Sequence, residues 1–339
     1  FQNCPKLTSI VIPKTVNYIG GGAFLKNAAL TTVTFADADA AVEEALVIDE
    51  VWTTDRYGNT YLVGDCGAFQ GTSITSITLP NRPVSIGAYA FKQCAALTTV
   101  TFKSKSVEKI GKYAFAENPE LVSLPGFENV NTLKTMPENM FSSDAKLAQA
   151  IIPAGVEEVG GYAFDGCSSI TSATIPATVK VLGTDSGSMQ TSYVFRNCTS
   201  LASVTFEDGI QLENLWSSIF EGCSSLESLT LPEGIKYIGA NIIKGSAVKS
   251  IKVPASVEEL FNYAFADAKK LETVTFDGNS QISKIGFSAF QNTALKTFTF
   301  PEAQGDLIIH ESGKLFSGCQ QLTDLHLSSA IKSLGDILV

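Results

Sequence analysis

The sequence is poor in the residues that most catalytic and metal sites require. It holds two histidines, two tryptophans and three methionines among 339 residues. His310 and His326 both fall near the C-terminal edge, and neither has a partner at metal-ligand spacing. Asp324 lies two residues from His326, but both are expected to project from one strand into open solvent, which shelters no catalytic triad. The chain has no C-x-x-C, H-E-x-x-H, G-x-S-x-G or Walker loop, and Gly20-Gly21-Gly22 precedes no long helix. No catalytic residue, metal site or cofactor is therefore assigned, and a non-enzymatic role is expected.

Basic charge is also scarce. Lys and Arg number 24 against 34 Asp and Glu, a net charge of −10, with no basic run. That balance excludes a nucleic-acid partner, whose phosphates need a basic face, and adsorption to anionic lipid. No stretch reaches the roughly 18 apolar residues of a membrane span, so this segment is not expected to insert directly. Charged residues make up 17% of the chain and apolar ones 45%, which excludes a disordered polymer.

What the chain does have is repetition. Phe91-Lys-Gln-Cys-Ala-Ala-Leu97, Phe164-Asp-Gly-Cys-Ser-Ser-Ile170 and Phe220-Glu-Gly-Cys-Ser-Ser-Leu226 share the pattern F-x-x-C-x-x-L. It recurs at Phe1, Phe195 and Phe316. With a small residue in place of Cys it recurs at Phe24, Phe69, Phe115, Phe141, Phe265 and Phe290, and Ile243 holds the anchor place once. The thirteen anchors follow one another at 22 to 26 residues, except for steps of 45 (Phe24 to Phe69) and 31 (Phe164 to Phe195). A fixed period interrupted twice predicts one solenoid over residues 1–339, with insertions at 37–65 and 184–192.

Each repeat has the same internal order. Leu97-Thr-Thr-Val100-Thr-Phe102 alternates apolar and polar residues at the period of a half-buried strand. Proline often follows, as at Pro80, Pro232 and Pro254, where a missing N–H suits a strand end. A second apolar pair comes next (Val257-Glu-Glu-Leu260), often closed by a glycine read as a positive-φ corner: Gly20, Gly87, Gly111, Gly160, Gly183, Gly239 or Gly286. Ala-Phe then enters a turn read as one loop of helix. No single repeat can bury its own Leu, Val and Phe, so stacked coils must share one core.

The consensus L-x-x-L-x-L-P-x-x-V-x-x-I-G-x-x-A-F-x-x-C resembles the BspA-type leucine-rich repeat, a family of bacterial surface antigens, over the whole chain. Ile243 and Ser246 depart from it. The expected fold is an α/β-type leucine-rich-repeat solenoid, right-handed, of about thirteen turns. A long parallel sheet would form its concave face, and short strands and helical turns its convex side. The resemblance implies a monomeric, secreted or surface-exposed bacterial adhesion module that binds a host matrix or cell-surface protein. A glycan ligand and a passive spacer are the alternatives. Because Phe1 falls inside a repeat and no capping turn covers the first coil, the natural protein is expected to extend upstream, with a downstream continuation left open.

Candidate binding residues fall in two groups. The strands align two outward hydroxyl columns, which include Thr99, Thr101, Ser172, Thr174, Ser203, Thr205, Ser228 and Thr230. Such columns either support the sheet or meet a ligand. The first insertion carries Trp52, Arg56, Tyr57 and Tyr61, residue types that favour recognition. Within it, residues 40–51 read as a short helix, and Val51-Trp-Thr-Thr with Asn59-Thr-Tyr-Leu-Val63 as a hairpin turning at Asp55 to Gly58. Its Trp either packs on the hairpin or faces a partner. The Ser/Gly-rich 184–192 stretch reads as a loop. Six cysteines (Cys4, Cys94, Cys167, Cys198, Cys223, Cys319) sit three places after an anchor and are expected as buried thiols. A rung-to-rung bridge such as Cys198–Cys223 is disfavoured because parallel side chains do not converge. Cys66 is left either paired or free. Tyr89, Tyr113, Tyr162, Tyr193 and Tyr263 form a stripe two places before the anchor, expected to cover the turns.

Overall fold

The computed structural model describes residues 1–36, 43–183, 192–310 and 313–332. It divides into two compact units, Phe1–Ser169 and one beginning at Ile170. Both are β-solenoids built from the predicted coils, seven anchors in the first and six in the second.

In the first unit the anchor rings form a spine. Phe1, Phe24, Phe69, Phe91, Phe115, Phe141 and Phe164 stack in order at centroid spacings of 5.1–5.7 Å, with ring planes within 22° of parallel. All from Phe69 onward are fully buried. Two parallel ladders flank this spine. One contains Ser9–Ile12, Thr32–Phe35, Ser76–Leu79 and Thr99–Phe102. The other contains Tyr18–Ile19, Leu46–Ile48, Val84–Ile86 and Val107–Ile110. Burial alternates along the first set as the sequence pattern requires, with Val33, Ile77 and Val100 inside.

The second unit repeats the scheme. Phe195 stacks on Phe220 at 5.8 Å, and Phe265, Phe290 and Phe316 stack at 5.8 and 5.6 Å. Ile243 fills the anchor place between these groups, fully buried. Its short-strand ladder has five members, Asn214–Leu215, Tyr237–Ile238, Glu259–Leu260, Lys284–Ile285 and Ile308–Ile309. The longer strands form only pairs: Ser172–Ile175 with Ser203–Phe206, Ser250–Val253 with Thr273–Phe276, and Thr297–Thr299 with Asp324–His326. The expected long sheet is thus a series of short ladders. The coils are already tied together along the other ladder and through the anchor turns, so this face need not be continuous.

Those anchor turns correct the helical expectation. Among the described residues the one helix is a 3-10 turn, Phe127–Asn129, and none is long and apolar enough to cross a membrane. Except at Gly67, the residues two places before and two places after an anchor adopt left-handed backbone, as in Tyr89 (φ 61°) and Gln93 (φ 59°). An α-helix of L-residues cannot accommodate these. Alternate N–H groups leave the coil instead. Those of Tyr89, Phe91 and Gln93 donate to the carbonyls of Lys112, Ala114 and Ala116 at 2.8–3.1 Å, while that of Lys92 closes a turn onto Tyr89. A helix would satisfy these donors internally and leave none to join the coils.

The corner glycines also act differently from expectation. Of the seven, only Gly183 has a positive φ. At Gly111 a Cβ would run into the backbone of Ala88 in the preceding coil, and at Gly286 into that of Asn262. Glycine is needed there for close approach of coils.

The stretch 37–65 is not one decoration. Residues 37–42 lie outside the described residues, but Leu46–Ile48 is a regular rung between Tyr18–Ile19 and Val84–Ile86, with Leu46 and Ile48 fully buried. This replaces the helix expected over 40–51. β-Branched Val47 and Ile48 suit a pleated position better than a helix. Of the second insertion, 184–191 lies outside the described residues. Ser192 is buried and donates through N and Oγ to the Ser217 carbonyl at 3.0 and 3.1 Å.

Candidate binding surfaces

The hydroxyl columns form within each unit as the strand register dictates. Thr78 lies beside Thr101, Ser172 beside Ser203 and Thr174 beside Thr205. Thr99 and Thr101 are half-buried. Ser172, Thr174, Ser203, Thr205, Ser228 and Thr230 are exposed. Only the Thr99 hydroxyl in this set meets another side chain, Ser123 Oγ at 3.4 Å. Ser228 and Thr230 belong to a stretch, Leu226 to Leu231, that joins no ladder.

Other hydroxyls beside the strands, which the sequence reading missed, behave oppositely. Thr31, Thr98 and Thr323 donate their hydroxyls to the carbonyls of Thr8, Thr75 and Lys296 at 2.9–3.3 Å. Ser168 and Ser224 do the same to Ala145 and Thr199. These hydroxyls stitch coil to coil, whereas those of Thr101, Thr174 and Thr205 are left for solvent or a ligand. Backbone-carbonyl spacing across the coils was the missing signal, and a single sequence does not display it.

The hairpin forms where predicted. Trp52–Thr54 pairs antiparallel with Thr60–Leu62. Asp55 closes the turn by accepting from the Asn59 side-chain amide at 3.1 Å and from the N–H groups of Asn59 and Tyr57 at 3.0 and 2.8 Å, and these bonds, the side-chain one foremost, hold its carboxyl below the usual range. At the tip Arg56 donates to the Tyr57 hydroxyl at 2.6 Å and lies 4.8 Å from its ring. Trp52, Tyr57 and Tyr61 are 54%, 73% and 52% exposed. The register sets Trp52 opposite Leu62 and Thr53 opposite Tyr61, so Trp52 and Tyr61 fall on opposite faces of the ribbon. The structure therefore does not gather the aromatics into one patch.

Glu50 fixes the base of this hairpin. Its carboxylate accepts from the Trp52 indole N–H at 3.0 Å, Lys109 Nζ at 2.7 Å and the Ala88 N–H at 2.8 Å. Burial pushes the Glu50 carboxyl up, but the bonds from Lys109, Ala88 and Trp52 outweigh it and hold the group below its ordinary value. The hairpin thus abuts the short-strand ladder that carries Lys109, and Leu46–Ile48 separates it along the chain from the Thr32–Phe35 strand.

The tyrosine stripe is strained as well as stacked. Tyr89 and Tyr113 are parallel at 5.2 Å and both carry left-handed backbone. Lys92 lies 5.5 and 5.4 Å from the two ring centres and pairs with Asp65 at 3.0 Å and Glu117 at 3.2 Å.

Cys94 and Cys223 are buried free thiols, and Cys66 is free and half-buried. No Cys198–Cys223 bridge exists. The rung thiols do more than fill space. Those of Cys94, Cys223 and Cys319 donate to the anchor carbonyls of the preceding coil, on Phe69, Phe195 and Phe290, at 3.0–3.2 Å. Asp324 and His326 share one exposed strand face, and His310 packs edge-on against Phe287.

Stacked coils with buried phenylalanine spines and outward hydroxyl columns define a leucine-rich-repeat-type β-solenoid. A family described as BspA type leucine rich repeat region matches residues 1–45, 65–189 and 188–308, with six copies. The chain belongs to that family. Among solved structures it is similar to a leucine-rich repeat protein from Bacteroides ovatus (20% identity, 89% of this chain and 88% of that one, TM-score 0.41). It is also similar to a leucine rich cell surface protein from Faecalibacterium prausnitzii (21% identity, 86% and 91%, TM-score 0.41). The pneumococcal vaccine antigen PcpA is a further match (19% identity, 96% and 69%, TM-score 0.38). No curated protein matches the chain.

Proposed function

We propose that this chain is a recognition module displayed at the outer surface of a bacterial cell, and that it binds a protein of a host or neighbouring cell. The observation that carries the reading is the contrast between hydroxyls that bond from coil to coil and hydroxyls that do not. Those of Thr31, Thr98 and Thr323 are consumed by coil-to-coil bonds, while in the second unit Ser172, Thr174, Ser203 and Thr205 present unbonded hydroxyls on an uncharged strand face. A face whose polar groups are not needed internally is available for recognition. The hairpin is a second, separate contact, since Trp52, Tyr57 and Tyr61 stay largely exposed although Glu50 holds its base in place. Membership in a family that includes surface antigens supports display outside the cell.

The test is attachment of the purified protein to immobilised matrix proteins, plasma proteins and a glycan array. Thr174→Lys with Thr205→Lys, and separately Trp52→Ala with Tyr61→Ala, should each weaken attachment to a protein ligand without altering thermal unfolding. Signal on glycans alone would replace the protein partner by a carbohydrate. Undiminished attachment by both double variants would remove the reading and leave a spacer.

A further inference from the structure

The coils of the second unit part company on the strand face. Ser203–Phe206 pairs with Ser172–Ile175 along one edge. Its other edge faces Leu226 to Leu231, yet among the described residues no backbone hydrogen bond joins these two stretches. Elsewhere the same coils remain joined. Phe195 stacks on Phe220 at 5.8 Å, Asn197 N–H donates to the Glu221 carbonyl at 2.8 Å, and Ser224 Oγ donates to the Thr199 carbonyl at 3.3 Å. A cleft of about 690 Å³ opens between them, lined by Val204 to Ile210 and Thr230 to Gly234.

Three properties of the cleft point the same way. One wall is the edge of the Ser203–Phe206 strand, whose unused donors and acceptors strongly favour pairing with another extended backbone. Its floor is apolar and accessible: Val204 and Phe206 are half-buried, whereas Val100 and Ile175 in equivalent places are fully buried. Its rim is acidic, with Glu207, Asp208 and Glu233 and no basic residue in the lining. Glu207 is engaged by the Ala177 N–H at 2.9 Å, while the carboxylates of Asp208 and Glu233 bond to no described residue. Lys252, in an adjoining opening beside Glu233, is held by Asp277 at 2.6 Å.

We infer that this cleft receives an extended, basic polypeptide segment of the partner. The segment adds its backbone to the open edge of Ser203–Phe206, seats alternate apolar side chains on Val204 and Phe206, and sets lysine or arginine against Asp208 and Glu233. Alternation along a strand supplies one apolar face and one basic face from a single sequence. The inference rests on the recognition reading above and narrows the partner's chemistry at one site.

The experiment uses the whole chain and fluorescent peptides of alternating lysine and valine, read by anisotropy. The lysine peptide should bind, and more weakly as salt rises. The same peptide with glutamate for lysine, and one N-methylated on alternate backbone nitrogens, should not. Asp208→Lys with Glu233→Lys alters exposed side chains only and should lower affinity about tenfold. Glu108→Lys with Glu128→Lys, which reverses two exposed charges at residues that do not line the cleft, should leave peptide affinity unchanged. Equal binding of lysine and glutamate peptides, no binding of either, full binding of the N-methylated form, or indifference to the double charge reversal would each overturn the inference. None of those results touches the attachment assay with the threonine and hairpin variants, so the two readings fail separately.

Discussion

Replacing Asp144 by asparagine should stabilise the protein, and by more as the pH rises. Asp144 occupies the place three residues after an anchor, fully buried. Its Oδ1 accepts from the Asn118 N–H at 2.7 Å, and its Oδ2 has no partner. Asparagine completes this arrangement where it occurs naturally. Asn27 accepts from the Cys4 N–H at 2.6 Å and donates through Nδ2 to the Phe1 carbonyl at 2.9 Å, and Asn118 likewise bonds Cys94 N–H and the Phe115 carbonyl. Burial pushes the Asp144 carboxyl well above the carboxylate range, helped by the charge of Glu117 and opposed by the Asn118 N–H. The folded protein therefore holds this proton more tightly than the unfolded chain. The group's contribution to stability is complete below the ordinary carboxyl range and is lost as the pH rises toward the folded-state value. Asparagine carries no such proton and supplies the missing donor, a difference on the order of 1–3 kcal/mol at neutral pH. Urea unfolding of parent and Asp144→Asn at pH 5 and pH 8 measures it, the relevant quantity being the gap between the two proteins at each pH. A gap that is negative, or no larger at pH 8 than at pH 5, would refute the reasoning.

Other substitutions separate the roles assigned above. Gly111→Ala should cost about 1–3 kcal/mol in chemical denaturation, because its Cβ meets the Ala88 backbone. Thr98→Val should cost about 1 kcal/mol through loss of its bond to the Thr75 carbonyl, while Thr101→Val, which breaks no internal hydroxyl bond, should be close to neutral. Burial raises the Cys94 thiol to about 11 and the Cys223 thiol to about 12, so both should resist a thiol reagent at pH 8 in the native state and react only after denaturation.

The repeat itself was legible because hydrophobic spacing is a property of one chain. The anchors at Phe91, Phe115 and Phe164, the alternation at Leu97 to Phe102, and the hairpin around Asp55 to Gly58 followed from spacing alone. What stayed hidden depends on the neighbouring coil. The turn around Tyr89 looks helical in isolation, and only its bonds to Lys112 and Ala116 explain the left-handed residues. Gly111 looks like a turn former until Ala88 is seen pressed against it. Leu46–Ile48 was absorbed into an insertion because residues on both sides break the period. At the candidate sites, the aromatics of 52–61 were found, but their division between two faces follows from the pairing register of the hairpin. Glu50 carried no signal beyond its charge. The cleft beside Phe206 was invisible, since Leu226 to Leu231 has the same strand pattern as the stretches that do pair.

The anchor turns carry a consequence for how such proteins change over generations. The backbone donors that leave the turns at Tyr89 to Gln93 and Tyr263 to Asp267 are received one coil further on and reach no further. Removing or duplicating a whole period leaves two matching edges to rejoin. Length can therefore be gained or lost in single units, and reach becomes adjustable without redrawing the interior.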